Sequence, residues 1–376
     1  MINQNKKLFL TIFVLSLIAG LAVSFSLGWE SWMRIAEIDN QLSNRNNLNS
    51  PDNGESDNGS NTGDDNQKLE IYQAELFVRA PWGDGQGEVG LSNPSKRGVE
   101  DAGPNYGPQS FDIAENGHLF LLDSVNERVI EYDDQGEYLK DFPIACGGTG
   151  DIRISPDGKY LYVFSWRCEG VYKYDIEGEF LEGYGFSREM KSGSLGTEGL
   201  EFDKEGNIMI ELGMESYDKE DRFCQVGKNG DEWENNNFIG HPLNNKDEYC
   251  LLGGIIKSTG EIERHIIILD ENKKSKKKIK IELPKKGLPY FTGLDKNDNI
   301  YLEIQYVDGS SDNEIRKYNQ EDNLLTVLDV SKLMRENDFI WHYTKMFNDS
   351  RVSKNGDVYL MFSDPSEIKI YKYSKK

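Results

Sequence analysis

From Leu69 onward one phrase of apolar and polar positions recurs along the chain. An alternating apolar run meets a tight turn, and a strongly β-forming run follows. The turns are Glu115-Asn116-Gly117, Pro156-Asp157-Gly158, Lys204-Glu205-Gly206, Ser258-Thr259-Gly260, Lys296-Asn297-Asp298 and Lys354-Asn355-Gly356. Each supplies residues that tolerate positive φ, which suits a two-residue hairpin. Strands are predicted after them, from His118 to Asp123, Tyr160 to Ser165, Ile208 to Leu212, Arg264 to Leu269, Ile300 to Gln305 and Val358 to Phe362. A further strand and turn often follow, as in Arg128 to Tyr132 with Asp134-Gln135-Gly136, or Val171 to Tyr174 with Glu177-Gly178.

Successive main turns lie 41, 48, 54, 38 and 58 residues apart. That is the period of a four-stranded propeller blade with loops of variable length. Apart from the short stretch Val330 to Glu336, no segment sustains a 3.6-residue apolar period. The expected fold is therefore all-β, a six-bladed β-propeller over residues 69–376 with four antiparallel strands in a typical blade. An open ring would expose a sheet edge, so the ring needs a closure. The last repeat ends after three strands, the third being Ile368 to Tyr373, whereas Glu70 to Arg79 is a lone strand before the first full repeat. The lone strand is predicted to become the outer strand of the last blade.

Residues 1–68 follow other rules. Lys6 and Lys7 precede an uncharged stretch of 22 residues, Leu8 to Trp29. A secretory signal has an apolar region of about 7–15 residues and a spanning helix needs about 20. A retained transmembrane anchor over residues 1–30 is favoured, with the two lysines keeping the N-terminus in the cytosol and the remainder outside. Cleavage after Ser24 or Ser26 is the alternative, which would make the protein secreted. No cysteine precedes Cys146, which excludes a lipid-modified N-terminal cysteine. Residues 31–68, dominated from Asp39 to Lys68 by Asn, Asp, Ser and Gly, bury too little surface to offset ordering entropy. They are predicted to form a disordered linker with a reach of roughly 30 Å.

Composition narrows the partners. The formal net charge is −22, from 65 acidic and 43 basic side chains. This excludes a nucleic-acid binder, because phosphate binding needs a basic surface that releases counterions. The same overall charge argues against a surface that lies on anionic lipid. Seventeen Phe, 19 Tyr and 6 Trp supply large side chains for a β core.

The first repeat carries the most specific pattern. Trp82-Gly83-Asp84-Gly85-Gln86-Gly87-Glu88 leads to Gly107-Pro108-Gln109-Ser110-Phe111-Asp112-Ile113, then to Asn116-Gly117-His118-Leu119-Phe120-Leu121-Leu122-Asp123. Asn126-Glu127-Arg128-Val129 and Tyr132-Asp133-Asp134-Gln135-Gly136-Glu137-Tyr138-Leu139 complete it. This resembles the NHL repeat, whose blades pass from a Gly-rich loop to an inner strand, a strand ending in Asp, an Asn-x-Arg-hydrophobic segment and a Gly turn. The resemblance is good over residues 76–144, fair over 148–186 and weak beyond. On physical grounds Asp123 ends a buried strand and Arg128 opens the antiparallel one, so their side chains are expected to meet. We read both as structural.

Cys146, Cys168, Cys224 and Cys250 are an even number in an exported chain, which permits disulfides. Cys146 with Cys168, and Cys224 with Cys250, are the favoured pairs. No Cys-x-x-Cys element points to zinc. Recognition is expected on the face bearing the loops between blades and between second and third strands. The candidate binding residues there are Trp82, Asn126, Trp166, Arg167, Tyr217, Tyr306, Trp341, His342, Tyr343 and Asp364, since Trp, Tyr and Arg dominate binding hot spots.

No catalytic residue stands out. The four histidines, His118, His241, His265 and His342, share no metal-ligand spacing, and there is no nucleophile elbow or phosphate loop. No cofactor is predicted, with a divalent metal such as Ca²⁺ as the open alternative. The leading reading is a membrane-tethered, extracytoplasmic binding or scaffold module for a protein, peptide or cell-wall saccharide. The runner-up is a metal-assisted hydrolase, lactonase or lyase with its site at the mouth of the channel. The one basic cluster, Lys273, Lys274, Lys276, Lys277, Lys278 and Lys280, is read first as a guard against edge pairing and second as a docking patch.

Overall fold

The computed structural model describes residues 69–376 apart from 93–105, 109, 148, 166, 186–196, 204, 213–222, 226–239, 244–246, 257–261, 273, 307–312, 332 and 334–348. The segments expected to form the anchor and the linker lie outside the described residues. So do Trp166, Tyr217, Trp341, His342 and Tyr343. Among the described residues no helix is long and apolar enough to cross a membrane.

The fold is an all-β propeller, with essentially no helix among the described residues. The chain enters through β1 (Tyr72–Pro81). The first blade is β2 (Ser110–Ile113), β3 (Leu119–Asp123), β4 (Arg128–Tyr132) and β5 (Tyr138–Pro143). The second is β6 (Thr149–Ile154), β7 (Tyr160–Ser165), β8 (Gly170–Asp175) and β9 (Phe180–Gly185). A three-stranded sheet follows, of β10 (Thr197–Phe202), β11 (Ile208–Leu212) and β12 (Phe223–Gln225). Next come β13 (His241–Pro242), β14 (Tyr249–Ile256), β15 (Ile262–Leu269) and β16 (Ser275–Ile281). The sheet after that holds β17 (Gly287–Leu294), β18 (Ile300–Tyr306), β19 (Asn313–Tyr318) and β20 (Leu324–Asp329). The last blade combines β21 (Ser350–Val352), β22 (Val358–Ser363) and β23 (Glu367–Lys375) with β1.

Among the described residues five complete four-stranded blades are thus present, where the repeats predict six. The correction falls on the third repeat, whose sheet has three strands among the described residues.

The turns also differ from the expected two-residue type. Ala114 N–H donates to the His118 carbonyl and Gly117 N–H to that of Ala114, which defines a three-residue loop with a positive φ at its third position. Asp203, Asp295 and Ser353 repeat the same pair of bonds. Asp298 takes the glycine's place with φ 57°, a conformation that Asp tolerates. The preceding carboxylate fixes that loop: Asp295 Oδ1 accepts from Asn297 N at 2.9 Å and Asn299 N at 3.2 Å.

Middle strands are buried on both faces, which explains their continuous apolar runs. All five residues of β3 are buried. Leu119 and Leu121 pack with Phe77, Tyr359, Met361 and Ile370 of the last blade. Phe120 and Leu122 face Ile152, Leu161 and Val163 of the second. Period-two alternation therefore sends successive side chains into two different inter-blade cores.

The closure forms as expected. β1 pairs antiparallel with β23 from Tyr72↔Lys375 to Pro81↔Glu367, with one irregularity at Leu76/Val78. An ionic knot secures its entry. Glu70 meets Lys317 Nζ at 3.0 Å and Lys375 Nζ at 2.7 Å, and the Glu70 carbonyl accepts from Thr326 Oγ1 at 2.7 Å. Partial burial pushes the Glu70 carboxyl up, but Lys375 and Lys317 outweigh that and hold it below its ordinary value.

Removing Leu69 to Pro81 from the full chain should leave protein that is insoluble or rapidly digested, as limited proteolysis would show. Glu70→Gln should lower the melting temperature at neutral pH. Because the folded-state pKa of Glu70 is depressed, its stabilisation is present above the ordinary carboxylate range and fades as pH falls through the folded value. The wild-type and Glu70→Gln melting curves should therefore converge in acid.

Candidate functional site

Each blade's innermost strand has one edge without a sheet partner, turned toward the propeller axis. Its backbone groups need other partners there. The structure supplies them from the neighbouring blade. Ile154 N–H of β6 donates to Asp112 Oδ2 of β2 at 2.8 Å. Leu200 N–H of β10 donates to Asp151 Oδ2 of β6 at 2.7 Å, and the Leu200 carbonyl accepts from Arg153 Nε at 2.8 Å.

The last blade joins through Arg351, which is almost wholly buried. Its Nη2 donates to Asp151 Oδ1 at 2.6 Å and to Ser110 Oγ at 2.9 Å, while Ser110 Oγ donates to the same carboxylate oxygen at 2.5 Å. On the other side Glu201 Oε1 meets His241 Nδ1 at 2.9 Å. The His241 ring stacks on Phe291 with centroids 3.7 Å apart. Polar and stacking contacts thus run from blade to blade around the axis.

Four of these residues share one register. Arg351, Asp112, Arg153 and Glu201 each lie five residues before the positive-φ glycine of the following turn, at Gly356, Gly117, Gly158 and Gly206. They come from four consecutive sheets and alternate in sign. Burial pushes the Asp112 carboxyl up from its ordinary value, against the pull of Arg153 and Arg351. Burial also acts to raise Glu201, but His241, Arg153 and Arg351 prevail and hold it down. Burial, reinforced by Arg153, lowers Arg351, while Asp151 and Asp112 oppose it.

Sequence reasoning misses the axial residues, although their signal is present. A charged side chain recurs five residues before the turn glycine, next to an apolar residue on the same strand.

On the loop face, Asp123 organises the Gly-rich segment before β2. Its carboxylate accepts from Gly90 N at 3.1 Å, Asn126 Nδ2 at 2.9 Å and Arg128 Nε at 3.1 Å. Arg128 Nη2 reaches the carbonyls of Gly85 at 3.0 Å and Glu88 at 2.7 Å. Asn126 Nδ2 also donates to the Gly83 carbonyl at 2.9 Å. The guanidinium fills a cage of loop carbonyls, so Asn126 is engaged within the fold.

The other sequence candidates divide. Trp82 is half-buried, and its Nε1 donates to the Asp364 carbonyl at 2.9 Å. Asp364 accepts from Ser366 N at 2.7 Å and pairs with Lys369, bonds that overcome burial and hold its carboxyl down. Tyr306 is a correction. It ends β18 buried in the core, its hydroxyl donating to Glu314 Oε1 at 2.6 Å, because the apolar run continues to the end of the strand.

Arg167 is exposed and pairs with Glu127 at 3.3 Å. Beside it Cys146 and Cys168 form a disulfide, joining the connection between the first two blades to the β7–β8 loop. Ser165 Oγ donates to the Gly147 carbonyl at 2.9 Å, and Ala145 N–H donates to Tyr174 Oη at 2.6 Å. Two non-glycine residues of this corner, Glu127 and Glu169, hold positive φ of 54° and 47°. The second expected disulfide is absent. Cys250 is a free thiol within the apolar cluster of Ile266, Ile268 and Phe291, where burial pushes its pKa up.

Among the described residues, no group of three or more His, Cys, Asp or Glu is placed to hold a metal ion. Neither a protein-family model nor any curated protein sequence matches the chain. Solved structures similar to it include a member of the DUF4221 family from Bacteroides vulgatus, at 13% identity over 82% of this chain and 100% of that one, with a TM-score of 0.46. Virginiamycin B lyase from Staphylococcus aureus is similar at 11% identity over 81% and 100%, with a TM-score of 0.38. Hydrazine synthase from Kuenenia stuttgartiensis is similar at 11% identity over 68% and 77%, with a TM-score of 0.42. These likenesses concern the fold alone.

Arg351→Met should cost about 3–5 kcal/mol, because it breaks a buried ion pair and takes from the Asp151 carboxylate its shortest bond to a cation. The double variant Arg351→Met/Asp151→Asn should melt higher than the sum of the two single losses, which thermal melts of all four proteins would measure. Under denaturing, non-reducing conditions Cys146 and Cys168 should resist alkylation while Cys250 reacts, as peptide mass mapping would show.

Proposed function

We propose that the chain is a membrane-tethered recognition module, with its propeller on the extracytoplasmic side. It binds a protein, peptide or cell-wall saccharide without catalysis. In this reading the three-stranded sheet is a sixth sector of the ring, and the first blade is of NHL type. Contacts between innermost strands support the sixth sector, since β10 lies against both β6 and β13. The pattern of Asp123, Asn126 and Arg128 supports the second statement.

The observation that carries the recognition reading is the rigid corner between the first two blades. Exposed Arg167 and Glu127 stand on backbone held by a disulfide, a buried serine and a tyrosine hydroxyl. Residues fixed in sparsely populated backbone conformations tend to cluster at ligand-binding sites. A surface fixed before binding loses little entropy when a partner docks.

One observation favours the second reading, a hydrolase or lyase at the channel mouth. The Glu201–His241 pair lies near the axis with half-buried Asp112 on another blade. In the recognition reading these groups join the blades and do no chemistry.

Two measurements on the full chain test the proposal. Protease added to intact cells should digest the propeller, while a tag placed before Met1 stays protected. Protein purified from membranes should carry no stoichiometric metal, and EDTA should leave its melting temperature unchanged. A bound metal whose removal lowers the melting temperature would turn the account toward the enzyme.

A further inference from the structure

The chain docks one of its own segments on an outer strand. Glu70, just before β1, lies against β20, where its N–H donates to the Leu325 carbonyl at 2.8 Å. Its carbonyl accepts from Thr326 Oγ1 at 2.7 Å, and its carboxylate meets Lys317 Nζ at 3.0 Å. Leu325 is the extra residue of a β-bulge, since Tyr318 pairs with Leu324 and Lys317 with Thr326. A bulge leaves its extra residue out of the ladder, which opens that carbonyl to another segment.

The second blade repeats this geometry. Tyr174 pairs with Phe180 and Lys173 with Glu182, which makes Leu181 the extra residue. Lys173 pairs with Tyr162 across β7 and β8 as Lys317 pairs with Tyr301 across β18 and β19. Each ammonium lies beside that tyrosine ring, 5.7 Å from the centroid for Lys173 and 5.3 Å for Lys317. Both tyrosines belong to the core shared with the following sheet. Lys317 is buried where it meets Glu70, whereas Lys173 is half-exposed and rests on the Tyr160 ring at 3.9 Å.

Lys173 differs from its counterparts in having no acid. Lys317 meets Asp295 as well as Glu70, and Lys372, at the same place in the last blade, pairs with Asp357 at 3.4 Å. The position of Asp295 is taken in the second blade by Ser155, which donates to Asp157 at 2.6 Å. Glu182, opposite Lys173, accepts from the Tyr184 hydroxyl at 2.7 Å. Among the described residues no carboxylate forms an ion pair with Lys173. The first blade has Glu131 at this place, which would repel an acid.

The edge is also unguarded. Five of the six residues of β9 are exposed, with Phe180 at 49% and Leu181 at 45%, and it holds neither Lys nor Pro. Those residues ordinarily keep an outer strand from pairing, as Lys140 and Pro143 do in β5.

We propose that the seam at Lys173 and Leu181 docks an extended, carboxylate-bearing segment of a partner protein, as β20 docks Glu70. The partner's carboxylate pairs with Lys173, and the N–H of the same residue donates to the Leu181 carbonyl. Its neighbours cover the exposed Phe180 and Leu181 side chains. Backbone bonds to an outer strand supply affinity, and the side-chain site supplies specificity. A second copy of the chain is the poorer occupant, because two bodies of net charge −22 repel each other. The seam is separate from the corner at Arg167 and from the membrane anchor, so this inference stands or falls without them.

The probe is the acetylated, amidated peptide Leu-Glu-Ile-Tyr-Gln-Ala, the sequence of residues 69–74, with Leu-Gln-Ile-Tyr-Gln-Ala as its control. A carbodiimide condenses the glutamate carboxylate with a lysine amine, taking up the water released as the amide forms. On the full chain, peptide mass mapping should find an adduct at Lys173 that saturates with peptide concentration. The adduct at exposed Lys159 should instead grow in proportion. In fluorescence polarisation, Lys173→Met should weaken binding of the labelled peptide about fivefold, the Gln peptide should show the same loss, and Lys173→Arg should bind normally.

An adduct at Lys173 that grows without saturation would overturn the proposal, and so would equal binding of the two peptides. Adducts joining Lys173 to a second copy in the absence of peptide would overturn it in favour of self-association. If either variant fails to fold, saturation at Lys173 of the wild-type chain decides.

Discussion

The pairing of β1 with β23 is the interaction on which the rest depends. Every blade is built from local hairpins, and none of those hairpins makes a ring. This pairing joins the two ends of the propeller in one sheet, between residues separated by almost the whole folded chain. Glu70, Lys317 and Lys375 secure the strand where the chain enters, so the point that carries the N-terminal segment is also the point that closes the fold.

Closing the outside of the ring leaves a second problem at the axis, where innermost strands have unpaired edges. Carboxylates and guanidinium groups at equivalent positions of successive sheets solve it by reaching to the neighbouring blade. Alternation in sign places Asp112 and Arg153 each between two opposite charges, which offsets the cost of removing them from water. The same bonds set the axis apart from the loop face. Charges engaged in holding Ile154 and Leu200 serve the fold, whereas the corner at Arg167, Glu127 and the disulfide presents its charges outward.

Much of the fold is legible in the sequence because hairpin turns and apolar runs are local. Turn residues such as Asn116-Gly117 and Asn355-Gly356 mark every boundary, and the incomplete final repeat announces its missing strand. The closeness of Cys146 to Cys168, and of Asp123 to Arg128, follows from which strands a hairpin joins. What cannot be read depends on contacts between blades. Asp112 and Arg153 look like ordinary half-exposed strand residues until neighbouring sheets bring them together. Sequence proximity matches Cys250 with Cys224, yet its strand turns it into an apolar cluster. Tyr306 looks like a loop aromatic when the end of β18 is set one residue too early. The third repeat misleads the blade count, since its turn is regular while its sheet has three strands among the described residues.

The central claim is that the axial charges are structural, which leaves recognition to the loop face. Native-state hydrogen exchange of the full chain, read at the amides of Ile154 and Leu200, tests it most directly. If Asp112 and Asp151 hold these amides permanently, both should exchange only through global unfolding, at the rate of the amides within β3. Fast exchange at Ile154 and Leu200 while β3 stays protected would contradict the account. It would mean that the axis opens to water and that its carboxylates are available to a ligand.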